Sequence, residues 1–258
     1  MLWTQTVYAV PRLSHMTPFF GELLGTMLLV LFGDGVVANV VLSRSKGQNS
    51  GWIVIAAGWA AGVTIAVYAV NALSGAHLNP AVTIGLASVG RFEWALVPTY
   101  VLAQTIGAFL GGVLVWLTYL PHWALTEDKG AKLAVFSTGP AVRQPVANLI
   151  SEAIATAALV LGLMSVLTPA NLVPNTGFSN AFAPLLVGVI VFGVGLSLGG
   201  STGYAINPAR DLGPRLAHLI LPIPGKGSSD WGYAWVPVIG PIIGGVIGAW
   251  AYVSLWAA

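Results

Sequence analysis

The tripeptide Asn-Pro-Ala occurs twice in this 258-residue chain. Proline is favoured at the first position of a helix, where its missing N–H is not needed, and asparagine is a good capping residue just before it. Each triplet therefore predicts the capped start of a helix, with an amide side chain that can donate a hydrogen bond to a polar solute. The two triplets are Asn79-Pro80-Ala81 and Asn207-Pro208-Ala209.

Other residue types exclude several kinds of chemistry. The chain has no cysteine, so disulfides, thiolate catalysis and cysteine metal sites are ruled out. No nucleophile motif, metal-ligand cluster or phosphate-binding loop is present, so we predict neither an enzyme nor a cofactor or metal. The net charge is only +2, and no dense basic cluster indicates nucleic-acid binding.

The composition is typical of a membrane protein. Hydrophobic residues make up 56% of the chain and charged residues only 7%, against about 25% charged in soluble domains. A membrane-spanning helix needs roughly 20 mostly apolar residues. Six stretches meet this requirement, and we expect spans at residues 17–42, 52–73, 94–120, 146–168, 181–199 and 233–256.

A second pattern indicates that the chain is an internal duplication. The pattern Glu-x-x-x-Thr opens the first span at Glu22 and the fourth at Glu152, at nearly the same distance before each Asn-Pro-Ala triplet. Each half then has three spans, an odd number, so the second copy must enter the membrane from the opposite side. We therefore predict an all-α membrane protein of six transmembrane helices and two re-entrant half-helices in two inverted repeats.

The half-helices, near residues 79–88 and 207–218, are too short to cross. Glycine-rich stretches precede both, and non-helical backbone at this depth is tolerated only where protein buries it or water lines it. We expect the half-helices to meet head to head, with the carbonyls before them facing a pore. Their N-termini carry partial positive charge, which would repel cations.

Three carboxylates fall inside the predicted spans. Glu22 and Glu152 could form a proton relay, but their matching positions favour a scaffold role, in which they accept hydrogen bonds from the backbone N–H groups of the re-entrant loops. Asp34, between Gly33 and Gly35, lies either in an outer vestibule or against loosened backbone, and the sequence leaves both possibilities open.

Two loops carry a specific resemblance to a known family. Residues 74–83, SGAHLNPAVT, and 203–211, GYAINPARD, resemble the signature loops of the major intrinsic proteins, the aquaporin and glycerol-facilitator family. Asp211 directly after Arg210 is similar to the glycerol-facilitator branch. The resemblance implies a homotetramer in a cell membrane, with a pore in each subunit and cytoplasmic termini. The sequence has no Asn-x-Ser/Thr acceptor, which fits a bacterial membrane. The resemblance divides the chain into a cytoplasmic tail (1–16), a first repeat (17–120), an extracellular connection (121–145) and a second repeat (146–258).

The same resemblance implies roles for individual residues. A selectivity filter would consist of Trp59, Gly195, Tyr204 and Arg210, with glycine replacing the histidine of water-selective members and so widening the opening. Asp211 would fix its loop through hydrogen bonds, as Glu22 and Glu152 support the loops from behind. The carbonyls that face the pore would be those of Gly75, Ala76, His77, Gly203 and Ala205.

These features predict a passive channel for glycerol, other small neutral solutes and water, which excludes ions and protons. A water-selective channel and a proton-coupled transporter remain the alternatives. The charge distribution disagrees with the implied orientation, because cytoplasmic termini place most basic residues outside, whereas the positive-inside rule favours the reverse. Inside would lie Arg12 and Arg91, and outside Arg44, Lys46, Lys129, Lys132, Arg143 and Lys226.

Overall fold

The structure, a computed structural model, describes residues 17–173 and 176–256; the predicted tail, residues 1–16, lies outside this range. In the described part every regular element is helical: ten α-helices, and one 3₁₀ turn at Trp94–Leu96. The α-helices are α1 (Thr17–Val41), α2 (Trp52–Ser74), α3 (Pro80–Ser88), α4 (Val97–Thr118), α5 (Leu120–Leu125), α6 (Lys129–Phe136), α7 (Pro145–Val166), α8 (Gly177–Leu198), α9 (Pro208–Ile220) and α10 (Val236–Trp256).

Six of these helices are long and apolar enough to cross a membrane: α1, α2, α4, α7, α8 and α10. They coincide with the six predicted spans, which confirms the predicted fold class. The largest difference is at α8, which begins at Gly177 instead of residue 181. The Thr176 side chain caps this helix by accepting a hydrogen bond from Ser179 N at 3.1 Å, so the helix extends beyond the apolar run.

The two half-helices begin at the prolines of the two triplets. Asn79 Oδ1 accepts a hydrogen bond from Ala81 N at 2.8 Å, and Asn207 Oδ1 accepts one from Ala209 N at 3.0 Å. With 9 and 13 residues, α3 and α9 are about 14 and 20 Å long at 1.5 Å per residue, shorter than the hydrocarbon core.

Helix packing repeats between the two halves. In the first, α4 lies so close to α1 that a methyl group at Gly107 would overlap the carbonyl of Leu23, and in the second, α10 approaches α7 in the same way at Gly244 and Ala153. Leu23 and Ala153 directly follow Glu22 and Glu152. Small residues permit this close approach between membrane helices, and the matched contacts agree with the duplication read from the sequence.

Residues 121–145, expected only as a connection, contain most of α5 and all of α6. Asp128 caps α6 by accepting a hydrogen bond from Gly130 N at 2.7 Å. The Trp123 ring is fully buried and stacks on Phe136, with ring centroids 5.5 Å apart. The connection is therefore an ordered part of the fold. Helices of this length are too short for the hydrophobic period to reveal them.

Candidate functional site

The two loops that precede the half-helices share an unusual backbone. Three residues in each have positive φ, at matching positions. Positive φ is uncommon for residues other than glycine, and four of these six are not glycine. The φ angles are 79°, 50° and 54° at Gly75, Ala76 and Leu78, and 82°, 40° and 45° at Gly203, Tyr204 and Ile206.

Glu22 holds the first loop from behind. Its carboxylate accepts hydrogen bonds from the backbone N–H groups of His77 at 2.9 Å and Leu78 at 2.7 Å. Ser74 Oγ and Gln104 Nε2 each donate a further bond at 2.7 Å. Glu22 is fully buried, so all four donors compensate a charge that would otherwise be costly at this depth.

Glu152 occupies the equivalent position behind the second loop. Its carboxylate accepts hydrogen bonds from Ala205 N and Ile206 N, both at 2.9 Å, and from Thr202 Oγ1 at 2.6 Å. In both halves, therefore, one buried carboxylate bonds two successive N–H groups just before the Asn-Pro-Ala triplet. These hydrogen bonds hold the backbone of both loops in its positive-φ conformation.

The two asparagines bond across to the opposite loop. Asn79 Nδ2 donates to the carbonyl of Ile206 at 2.7 Å, and Asn207 Nδ2 donates to the carbonyl of Leu78 at 2.8 Å. Each amide nitrogen carries two protons. One N–H of each asparagine therefore bonds the opposite loop, and the other remains free. No pattern in the sequence indicated these cross-links.

A cavity of about 490 Å³ runs past both asparagines. Its lining extends along α2 from Trp59 to Asn71, a distance of about 18 Å at 1.5 Å per residue, and includes Arg91. Of the residues predicted to offer carbonyls, Gly75, Ala76, His77 and Ala205 line it and Gly203 does not. Within residues 17–173 and 176–256, no aspartate or glutamate lines the cavity.

Trp59, Tyr204 and Arg210 lie together on the cavity wall and are called the filter below. The Arg210 guanidinium carbon lies 4.1 Å from the centre of the Trp59 ring, a cation–π contact. No hydrogen bond joins this guanidinium to another side chain or carbonyl among the described residues, and its Nη1 is buried without an acceptor. The N–H groups of its Nε and Nη2, which form no hydrogen bond with any described residue and are not fully buried, are therefore available to a solute.

Gly195 has a different position from the one expected, because it does not line the cavity. A Cβ atom added at Gly195 would lie 3.0 Å from Tyr204 Cζ, a tighter contact than most Cβ atoms make in proteins. The absence of a side chain there makes room for the Tyr204 ring and so does not simply widen the opening. Trp52, which no sequence pattern indicated, packs edge-on against Tyr204 and donates to the Gly195 carbonyl at 2.8 Å.

Asp211 lies behind the filter and is fully buried. It accepts hydrogen bonds from Thr138 N at 2.8 Å and Thr138 Oγ1 at 2.7 Å, and from Arg215 Nε at 2.8 Å. Asp211 therefore ties α9 to the segment that follows α6. No sequence signal identified Thr138 or Arg215 as its partners.

In the described ranges no three His, Asp or Glu side chains are grouped so that they could hold a metal ion. His77, the histidine on the cavity wall, bonds Thr83 Oγ1 through Nδ1 at 3.1 Å and packs against the rings of Phe92 and Tyr100. The chemistry of the cavity is thus hydrogen bonding and aromatic contact.

The chain resembles known proteins over most of its length. Residues 10–252 match the family described as Major intrinsic protein. A protein named probable glycerol uptake facilitator protein, from Thermotoga maritima, is 60% identical over 92% of this chain and 98% of its own length. The glycerol uptake facilitator protein of Bacillus subtilis is 57% identical over 92% of this chain and 84% of its own.

A solved structure has the same architecture. The aquaglyceroporin from Plasmodium falciparum is 31% identical to this chain, with a TM-score of 0.83, and the match covers 94% of this chain and 97% of that one. These similarities confirm the family that the two signature loops indicated. The chain belongs to the major intrinsic protein family.

Proposed function

We propose that this protein is a passive channel through which glycerol, other small uncharged solutes and water cross the membrane. The observation that carries the proposal is the filter, where the guanidinium of Arg210 lies over the Trp59 ring and shares the cavity wall with Tyr204. A polyol has a carbon chain that packs on aromatic rings and hydroxyls that accept hydrogen bonds, so this wall complements it. Glycerol is also the solute in the names of both similar bacterial proteins.

Beyond the filter, solute moves in file along the loop backbone. The carbonyls of Gly75, Ala76, His77 and Ala205 accept no hydrogen bond from any described residue, so they are free to bind hydroxyls or water. The second N–H of Asn79 and of Asn207 supplies donors midway. The wall has hydrogen-bond donors on one part and acceptors on another. A hydroxyl both donates and accepts hydrogen bonds, so a polyol can use both parts.

Ions are excluded by the charges around the path. Arg210 is positive, the cavity wall in the described part of the chain has no carboxylate, and both half-helices direct their N-termini toward the asparagine pair. A helix N-terminus carries about half a positive elementary charge. Cations and protons therefore meet a barrier, as expected of selective neutral pores.

The coupled transporter receives no support from the buried carboxylates. Glu22 and Glu152 do not line the cavity, and their oxygens already accept four and three hydrogen bonds respectively. A proton relay needs a group that exchanges protons with the path. Glu22 and Glu152 instead support the loops, and Asp211 holds the first turn of α9 in place.

The assembly follows the family pattern implied by the signature loops. We propose a homotetramer in a bacterial cell membrane, each subunit with its own pore, cytoplasmic termini, and inverted repeats at residues 17–120 and 146–258 joined by an extracellular connection at 121–145. Large apolar side chains are exposed on all six spanning helices. Such surfaces need lipid or another subunit to cover them.

A solute panel in proteoliposomes tests the function. Stopped-flow light scattering should show downhill flux of water and glycerol far above that of protein-free liposomes, and no flux of potassium. Water flux without glycerol flux would establish the water-selective alternative. Accumulation of glycerol against its gradient, abolished by an uncoupler, would establish coupled transport.

A further inference from the structure

Asp34 is a buried acid for which the channel described so far has no role. It lies in the second half of α1, and its side chain is 0% exposed. Neither carboxylate oxygen has a hydrogen-bond partner among the described residues, and Asp34 does not line the cavity. An unpaired carboxylate at this depth is costly, so its neighbours must compensate for it.

The compensating group is the filter arginine. Asp34 Oδ1 lies 3.6 Å from Arg210 Nη1, a separation that makes an ion pair without a formed hydrogen bond. Arg210 Nη1 is itself buried and has no other acceptor. The nearby acid Asp211 is bonded to Arg215 on its own helix, which leaves Asp34 as the counter-charge for Arg210.

The same turn of α1 also determines where the Trp59 ring of the filter lies. Gly33, next to Asp34, packs so closely on the six-membered ring of Trp59 that any side chain at position 33 would overlap it. The Arg210 guanidinium is therefore held by both Asp34, 3.6 Å from its Nη1, and the Trp59 ring, 4.1 Å from its central carbon. Two adjacent residues outside the cavity thus determine where two filter side chains lie.

We propose that Asp34 is a positioning residue for solute selectivity: its ion pair draws the Arg210 guanidinium back toward α1 and Trp59 and keeps the filter wide enough for a polyol. Without the carboxylate, the guanidinium is free to move into the cavity and narrow it. Water needs less width than glycerol, so the loss affects glycerol more. The inference rests on the proposed channel function, but the pairing itself can be tested without any glycerol flux.

The selectivity test uses Asp34→Asn, which keeps the shape of the side chain and removes its charge. In proteoliposomes the ratio of glycerol to water permeability should fall by about threefold or more. A purely structural role would reduce both fluxes together and leave the ratio unchanged. In an Arg210→Val background, Asp34→Asn should not change the ratio. An unchanged ratio in the single variant, or an equal fall in the Arg210→Val background, overturns the proposal.

A stability measurement tests the Asp34–Arg210 pair without measuring transport. It also does not require that the Asp34→Asn variant folds. Arg210→Val leaves the Asp34 carboxylate buried and unpaired, whereas Arg210→Val combined with Asp34→Asn removes both charges. The double variant should therefore melt at a higher temperature in detergent than Arg210→Val alone. A double variant no more stable than Arg210→Val shows that the two residues are not paired.

Discussion

At the scale of single residues, the charge of the filter comes from Arg210, which combines a positive charge with unbonded donors. We expect Arg210→Val to raise potassium and proton leak by about tenfold or more, because a charge about 4 Å away is worth roughly 4 kcal/mol at a protein-like dielectric and each 1.4 kcal/mol is a factor of ten. In this variant Asp34 has lost its partner, and its negative charge would also attract cations. Proton entry can be followed with a pH-sensitive dye inside proteoliposomes under a potassium diffusion potential.

Arg143→Val is the matched control, because Arg143 lies outside the cavity and pairs with Asp230. It removes the same side chain without changing the filter, so its leak should equal that of the wild type. Equal leak in both variants would remove Arg210 from its assigned role in ion exclusion.

Gly195 gives a second test at this scale, which depends on packing alone. In Gly195→Ala the new methyl group lies 3.0 Å from Tyr204 Cζ, so the Tyr204 ring must shift. Overpacking of this kind costs about 1–3 kcal/mol, and we expect glycerol permeability to fall about fivefold and water permeability to fall less. Stopped-flow measurement of both solutes gives the comparison.

Gly193→Ala provides a control on the same helix. A Cβ atom added at Gly193 meets nothing within 4 Å, and alanine favours helix more than glycine does. Its permeability should match the wild type. If Gly195→Ala also has wild-type permeability, the position of the Tyr204 ring does not depend on the missing side chain at Gly195.

At the scale of elements, each re-entrant loop depends on one carboxylate. Glu152→Gln replaces one acceptor oxygen with an NH₂ group, so at least one of the donors Thr202 Oγ1, Ala205 N and Ile206 N loses its acceptor. An unsatisfied buried donor costs about 1–3 kcal/mol. The melting temperature in detergent should fall by several degrees, and glycerol flux per folded channel should fall with it.

Glu127→Gln is the control for this prediction, since Glu127 is exposed in the connection between α5 and α6. The same chemical change there should leave both melting temperature and flux unchanged. A Glu152→Gln protein as stable as the wild type would mean that the loop keeps its strained backbone without the carboxylate.

The elements were predictable from the sequence where a local pattern determines them. Hydropathy located the six spans, and the Asn-Pro pairs located the starts of α3 and α9. Contacts between distant positions were not predictable: the Asp34–Arg210 pair and the Trp52 bond to Gly195 join residues far apart in sequence. Only tertiary packing brings such groups together, so no pattern of spacing reveals them.

At the scale of the whole molecule, three of the six basic residues expected outside, Lys132, Arg143 and Lys226, have local structural partners. Lys226 Nζ donates to the carbonyls of His218 at 2.6 Å and Leu219 at 2.7 Å, at the C-terminal end of α9, where the helix dipole is negative. Lys132 donates to the carbonyl of Pro224, and Arg143 pairs with Asp230. These three residues therefore have a role in folding, and their positions are weak evidence for the orientation that the positive-inside rule favours.

The orientation itself can be measured. Six spans place the start of α1 and the end of α10 on the same side, and we expect that side to be the cytoplasm. Green fluorescent protein fused after Trp256 should fluoresce, and alkaline phosphatase fused there should be inactive. A phosphatase fusion truncated after Gly139 follows three spans, so it should be active, because the 121–145 connection would lie outside. The reverse pattern at both sites would show that the basic residues, and not the family resemblance, predict the topology.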